Sequence, residues 1–290
     1  MINNFKSLSL KAFQQRFTST YQCIDYLVSI KWPGEFICKQ CYNNKYCKGK
    51  KYGDRQCTLC KKIESPKAGT LFHSMKIPLE TAFYMLFLIV TDKKGCPSTH
   101  LARQTGLQQK TCWLFRRKVM AAMESDHQHL LEGEVDLVEI ELNVMKKGKN
   151  KTKELSTVKV LIGIEKKGKG ASKTYAKVIG HPSKKKTQFF IEQKIDNQAR
   201  ICPDRTIYTR LKNCKSSESE GRNKTLDQRI IRCMLNWVYD RHGYVTHAQE
   251  YLNEYCYRYN RHQMKAAIIE DIIRRMVFHK PRPYKLMKYS

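Results

Sequence analysis

Long apolar runs, acidic side chains and histidines in a metal-ligand spacing are all scarce in this 290-residue sequence. The most apolar stretch, Leu79 to Thr91, covers 13 residues and includes Glu80. About 20 apolar residues are needed to cross a bilayer, so a membrane span is excluded for it. Met1 to Phe13 carries Lys6 and Lys11 but no apolar centre followed by a small-residue cleavage site, so no secretory leader is expected. A soluble, cytoplasmic protein without a membrane partner is the expectation. Acids are outnumbered: 26 Asp and Glu face 55 Lys and Arg, a formal charge of +29. Self-repulsion on that scale is relieved by a polyanion, which makes nucleic acid the leading partner. Among the histidines, His247, His262 and His279 form no ligand spacing and read as ordinary surface or DNA-contact residues.

What is present supports a globular chain. A hydrophobic content of 41% with 10% aromatics supplies a core, and the length allows two or three compact units. Of 12 cysteines, four stand in metal-site spacing, and the others are scattered through core-like segments as reduced thiols would be. The four are Cys38-Lys-Gln-Cys41 and Cys57-Thr-Leu-Cys60, separated by 15 residues rich in Lys, Tyr, Asn and Gly. Two such knuckles match a four-cysteine zinc ribbon, each giving two thiolates to one tetrahedral ion. Cys47 lies off the spacing and is read as a bystander. A unit this small buries little surface, so Zn²⁺ contributes folding energy and no catalysis. Lys39, Lys45, Lys48, Arg55, Lys61 and Lys62 give it the composition of a nucleic-acid face, or of a merely solvated one.

Residues 1–35 read as a helical lead-in stopped by Trp32-Pro33-Gly34, residues 36–66 as the ribbon, and 67–124 as a helical region. Within the last, Leu79 to Val90 is a core helix. Ser98 or Thr99 caps a short helix ended by Gly106, and Gln109 to Met123 forms a basic second helix. Helix, glycine turn and basic helix make a helix-turn-helix pattern, with Lys110, Arg116, Arg117 and Lys118 as candidate phosphate contacts. Any helical hairpin can carry a glycine in its turn, so the pattern alone does not decide for DNA.

After a linker at Ser125 to Glu132, Gly133 to Val144 reads as a strand on which Asp136, Val138, Ile140 and Leu142 share one face. A carboxylate in line with three apolar side chains needs neutralising, and a divalent metal would do so. Three alternatives stay open: an exposed strand end, a lysine partner, or another register. Leu155 to Glu165 and Thr174 to Gly180 read as further strands, joined by the cationic turns Lys146 to Lys153 and Lys166 to Gly170 in an antiparallel meander. A helix at Thr187 to Ile195 and a short strand Arg200-Ile-Cys-Pro-Asp204 follow. Beyond a polar stretch at Lys212 to Asn223, helices are expected near Leu226 to Val238, Thr246 to Tyr259 and Met264 to Val277, then a basic tail from His279.

Several strings carry a resemblance. They are Gly69-Thr-Leu-Phe72, Leu101-Ala-Arg-Gln-Thr-Gly106, Glu134-Val-Asp136, Ile201-Cys-Pro-Asp204 and, above all, Tyr251-Leu-Asn-Glu-Tyr-Cys-Tyr-Arg-Tyr-Asn-Arg261. Together they resemble the bacterial insertion-sequence transposases that join an N-terminal zinc ribbon to a DDE catalytic domain, over residues 36–262, nearly four fifths of the chain. The resemblance implies an α+β protein: zinc ribbon, helix-turn-helix, then at 133–262 a ribonuclease H-like domain with a mixed sheet and flanking helices. Residues 263–290 are left as a C-terminal helix and tail. It further implies a nucleoid-associated bacterial enzyme of DNA transposition and recombination, oligomeric on double-stranded DNA, that cleaves and joins element ends. Asp136, Asp204 and Asp227 would hold Mg²⁺ or Mn²⁺, two ions about 3.5–4 Å apart, and Arg258 and Arg261 would add phosphate contacts. The sequence departs from the family at three places: Asp227 stands where Glu is usual, Leu137-Val138 replaces Glu-Thr after the first acid, and Arg205-Thr206 replaces Gly-Trp after the second. A repurposed copy that binds DNA without cutting it is the alternative. A zinc-ribbon transcription or RNA-binding factor is a third, which leaves the spaced acids unexplained.

Overall fold

A computed structural model of the chain describes residues 9–92, 94–124, 129–147, 153–168, 170–211, 224–242, 245–264 and 266–283. The elements in order are α1 (Leu10–Arg16), α2 (Thr20–Lys31), β1 (Tyr46–Lys48), β2 (Arg55–Cys57), β3 (Ile63–Glu64), α3 (Leu79–Thr91), α4 (Ser98–Thr105) and α5 (Gln109–Ala122). Next come β4 (Glu134–Lys147), β5 (Lys153–Lys167), β6 (Gly170–Gly180), α6 (Lys184–Lys194), β7 (Arg200–Pro203), α7 (Arg205–Leu211), α8 (Lys224–His242), α9 (Ala248–Asn260) and α10 (Ala267–Phe278). The result is a mixed α+β chain in two compact units, Met1–Ala122 with Met264–Ser290, and Met123–Gln263. The turn tip at 148–152, residues 125–128 of the linker, the polar stretch 212–223, Gly243 and the tail at 284–290 lie outside the described residues.

In the first unit, local chemistry sets the helix ends. Ser19 and Gln22 form a reciprocal capping box at the start of α2, which satisfies amides that the helix leaves without partners. Phe13 and Phe17 pack on Phe87 and Phe83 of α3, with ring centroids 4.8 and 4.9 Å apart. Gly106 closes α4 at φ 69°, a left-handed position that glycine occupies without a Cβ penalty. Pro97, not Ser98, stands at the cap of α4, and Ser98 is the first helical residue, because proline's fixed φ suits the entry to a helix. One boundary differs from expectation: the helix of the 263–290 segment is not a separate appendage. Ile269, Ile272, Ile273 and Met276 of α10 are fully buried, and the helix packs on α2, α3 and α5.

The second unit is built on a four-stranded sheet in the order β6-β5-β4-β7. β4 and β5 pair antiparallel with Asp136 opposite Ile164 and Val138 opposite Ile162, and β5 pairs antiparallel with β6. β7 joins β4 in parallel, with Asp136 opposite Cys202 and Leu137 opposite Pro203. Gly163 on β5 lets Leu131 pack close: a Cβ there would lie 2.7 Å from Leu131 Cδ1, so that side chain would have to shift. β6 is an edge strand, and α9 covers its free main chain. Gln249 accepts from the Val178 amide (2.8 Å) and donates to Ala176 O (3.0 Å), while Asn260 accepts from the Thr174 amide (2.8 Å) and donates to Thr174 O (3.0 Å). Side-chain amides thus stand in for a fifth strand and block edge pairing. The helix α7 has no counterpart in the sequence expectations, since its seven residues are too few to display a period.

Candidate zinc centre and the acidic strand

The four cysteines of the ribbon converge. Their sulfurs all lie within 4.8 Å of one another, with Cys38 to Cys60 and Cys41 to Cys57 each at 3.5 Å. Zinc–sulfur bonds of about 2.3 Å in a tetrahedron place sulfurs about 3.8 Å apart, so the tetrad fits Zn²⁺. Among the described residues it is the one group of three or more candidate ligands with such convergence. Cys47 is exposed on β1, its thiol directed at Gln56 O, and takes no part.

The two knuckles are copies of one turn. The Cys38 amide donates to Asn43 O and the Tyr42 amide to Cys38 O, while the Cys57 amide donates to Lys62 O and the Lys61 amide to Cys57 O. Tyr42 and Lys61, each four residues past the first cysteine of its knuckle, both have φ 59°. In each copy, amides two and three residues on point at the first sulfur: those of Gln40 and Cys41 hold the Cys38 thiol below its ordinary pKa. Burial opposes the Cys57 thiolate, but the Asn43 side chain and the amides of Cys60 and Leu59 outweigh it and bring its pKa to about 6. Cys60 goes the other way, to about 12: the Lys62 amide favours its thiolate, but burial and the three neighbouring sulfurs prevail. Four thiolates cannot crowd together unaided, and a dication removes the conflict. Asn43 went unnoticed in the sequence. Its amide bridges the knuckles, donating to Lys45 O (2.9 Å), Thr58 Oγ1 (3.0 Å) and Cys57 Sγ (3.4 Å), the kind of outer contact that orients metal ligands. Arg55 is not a surface cation. Its guanidinium lies over Trp32 (4.4 Å) and Tyr46 (4.3 Å), held by the aromatic rings of the ribbon.

In the second unit, Asp136 is fully buried and its carboxylate meets a lysine. Lys166 Nζ lies 3.3 Å from Asp136 Oδ1 and 3.2 Å from Glu134 Oε2, and Glu134 in turn faces Arg200 at 3.4 Å. Burial disfavours the Lys166 charge, yet the two carboxylates overcome it and raise its pKa above the ordinary lysine value. Asp204 is the cap of α7: Oδ1 accepts from the Ile207 amide (2.8 Å) and Oδ2 from the Glu139 amide (2.7 Å). Glu139 holds the same corner from its side chain, 2.6 Å from Arg210 on α7 and 3.3 Å from Lys159. Asp227 is buried in the first turn of α8. Asp136 lies beside one ammonium and Asp204 accepts from two amides, while the convergent ligand group found among the described residues is the cysteine tetrad.

The basic residues are placed differently from the phosphate-contact expectation. Arg116 and Arg117 are buried, with Arg117 stacked 5.0 Å over Trp113, and Lys118 is half-buried with its ammonium on Leu71 O. Burial lowers the Lys118 pKa. Arg258 pairs with the buried Glu254 at 2.8 Å, and Arg261 is buried over Tyr257. Lys110 alone of the six is exposed, at the start of α5, with exposed Arg103 on α4. A 14-residue helix packed on several sides leaves few positions for water, so a basic run at its centre turns inward with the stems of its long side chains. Among the described residues, no helix is long and apolar enough to cross a membrane. No protein-family model matches the chain, and no curated protein or solved structure shows significant similarity to it.

Proposed function

We propose that this chain is a transposase-type DNA-binding protein whose zinc ribbon and helix-turn-helix grip duplex DNA while a ribonuclease H-like unit serves as scaffold and not as nuclease. The observation that carries the reading is the four-sulfur tetrad set among exposed lysines in a chain of charge +29. The ribonuclease H-like assignment draws on the sheet: three antiparallel strands, a helix, then a fourth strand parallel to the first. Extending the β4–β7 register one residue past Leu137 and Pro203 sets Val138, not Asp136, beside Asp204. An apolar side chain there, with Lys166 already on Asp136, favours binding over cutting.

The test is a nicking assay beside a binding assay. Salt-sensitive binding of duplex DNA, with no cleavage of terminal-repeat DNA in manganese, supports the scaffold. Manganese-dependent nicking that Asp136→Ala and Asp204→Ala both abolish would replace it with the strand-transfer reading.

A further inference from the structure

Among the described residues, three that are not glycine adopt positive φ: Tyr42, Lys61 and Ser74. Two of the three are the matched positions of the ribbon's knuckles. Such positions favour glycine or asparagine, because a Cβ crowds the backbone there. A bulky aromatic at one of them is strained, and strain of this kind is retained where the side chain has a use. Folding supplies none for Tyr42: its side chain is 81% exposed, more than any other large apolar or aromatic residue in the described part of the chain. Its counterpart Lys61 is an exposed cation, Lys62 closes the same turn, and Lys39 and Lys45, both exposed, lie within and just after the first turn, with Lys39 3.3 Å from Glu64.

A flat ring open to water, on a small unit whose surface also exposes Lys39, Lys45, Lys61 and Lys62, is complementary to an unstacked base on an anionic backbone. Duplex DNA keeps its base faces stacked and offers only edges and phosphates, so the ring has no partner there. Single strands expose a face at every nucleotide, and stacking on aromatics combined with backbone contacts is how such strands are held. We infer that the ribbon is a binding site for single-stranded DNA, with a base stacked on Tyr42 and flanking phosphates on Lys39, Lys45, Lys61 and Lys62. This rests on the DNA-binding reading above and adds a second mode to it: the ribbon's lysines serve duplex and single strand alike, and Tyr42 serves the single strand alone.

Fluorescence anisotropy on the full-length, zinc-loaded protein separates the modes, using oligo(dT), a duplex and oligo(rU) of equal length. Tyr42→Gly relieves the backbone, so its thermal midpoint equals or exceeds the wild type. Its affinity for oligo(dT) is expected to fall about tenfold or more while duplex affinity stays within about twofold. Tyr42→Phe keeps the ring and the affinity; Tyr42→Asn, which also tolerates the left-handed turn, loses it. Unchanged oligo(dT) binding in the Gly and Asn variants, or an equal loss on duplex, overturns the site. Equal or tighter binding of oligo(rU) overturns the assignment to DNA. A wild type that binds duplex but not oligo(dT) sinks this inference alone, and one that binds neither sinks the proposed function with it.

Discussion

Lys166 Nζ stands 3.3 Å from Asp136 Oδ1, and that carboxylate is wholly out of water. The strand that promised a metal ligand therefore carries an internal ion pair, with the cation supplied by the next strand. Breaking such a pair from one side strands a charge, whereas removing both charges does not. Lys166→Met is expected to cost about 3–5 kcal/mol in urea unfolding, and the double variant Asp136→Asn with Lys166→Met to recover most of it. A double variant no more stable than the single one would show that the two residues act apart.

The same pair sets an alkaline limit. Because the folded Lys166 pKa is raised above the ordinary lysine value, its contribution is fully present below about pH 10.4 and is lost as pH climbs through the folded pKa. Unfolding followed from pH 8 to 11 should show a decline at the top of the range that the Lys166→Met variant lacks.

Asp204 offers a different test, since a helix cap and a metal ligand tolerate different replacements. Asp204→Ala is expected to lose about 1–2 kcal/mol of stability, with Asp204→Asn or Asp204→Ser recovering much of it. Equal losses in all three, read by thermal unfolding, would argue against a capping role.

Zinc should be bound in a 1:1 ratio by Cys38, Cys41, Cys57 and Cys60. Chelation is expected to unfold the ribbon, seen as lost chemical-shift dispersion for its residues, and to leave residues 123–263 folded. Cys57→Ser abolishes tight binding, and Cys47→Ser leaves stoichiometry and affinity unchanged.

On duplex DNA, Arg103→Ala and Lys110→Ala are each expected to reduce the slope of log K against log salt by about 0.9, the share of one phosphate. Arg117→Ala should instead lower thermal stability, because its guanidinium is buried over Trp113. Salt titrations of the three variants distinguish surface cations from structural ones.

The sequence spoke most clearly where a local rule is strict. Two C-x2-C knuckles fix a ligand set before any fold is known, and alternating Val158, Val160, Ile162 and Ile164 marked β5, a strand whose core face needs every second residue apolar. What stayed hidden depends on partners distant in the chain. Asp136 and Lys166 are 30 residues apart, and only the β4–β5 register brings them together. Arg116 and Arg117 look like a surface run in one dimension, and only packing turns them inward. Gln249 and Asn260 resemble any polar helix residues until an unpaired strand is laid beside them. Asn43 left no trace beyond its place just after a knuckle.

The pairing of the chain's opening helices with α10 has a consequence for synthesis. Residues 123–263 contain every partner of their own unit, but the earlier segment must wait for Ile269, Ile272 and Met276 before its interior is sealed. Until α10 is made, α2, α3 and α5 lack that cover, so a premature stop near residue 264 would yield a sound insert attached to a sticky, unfinished N-terminal half.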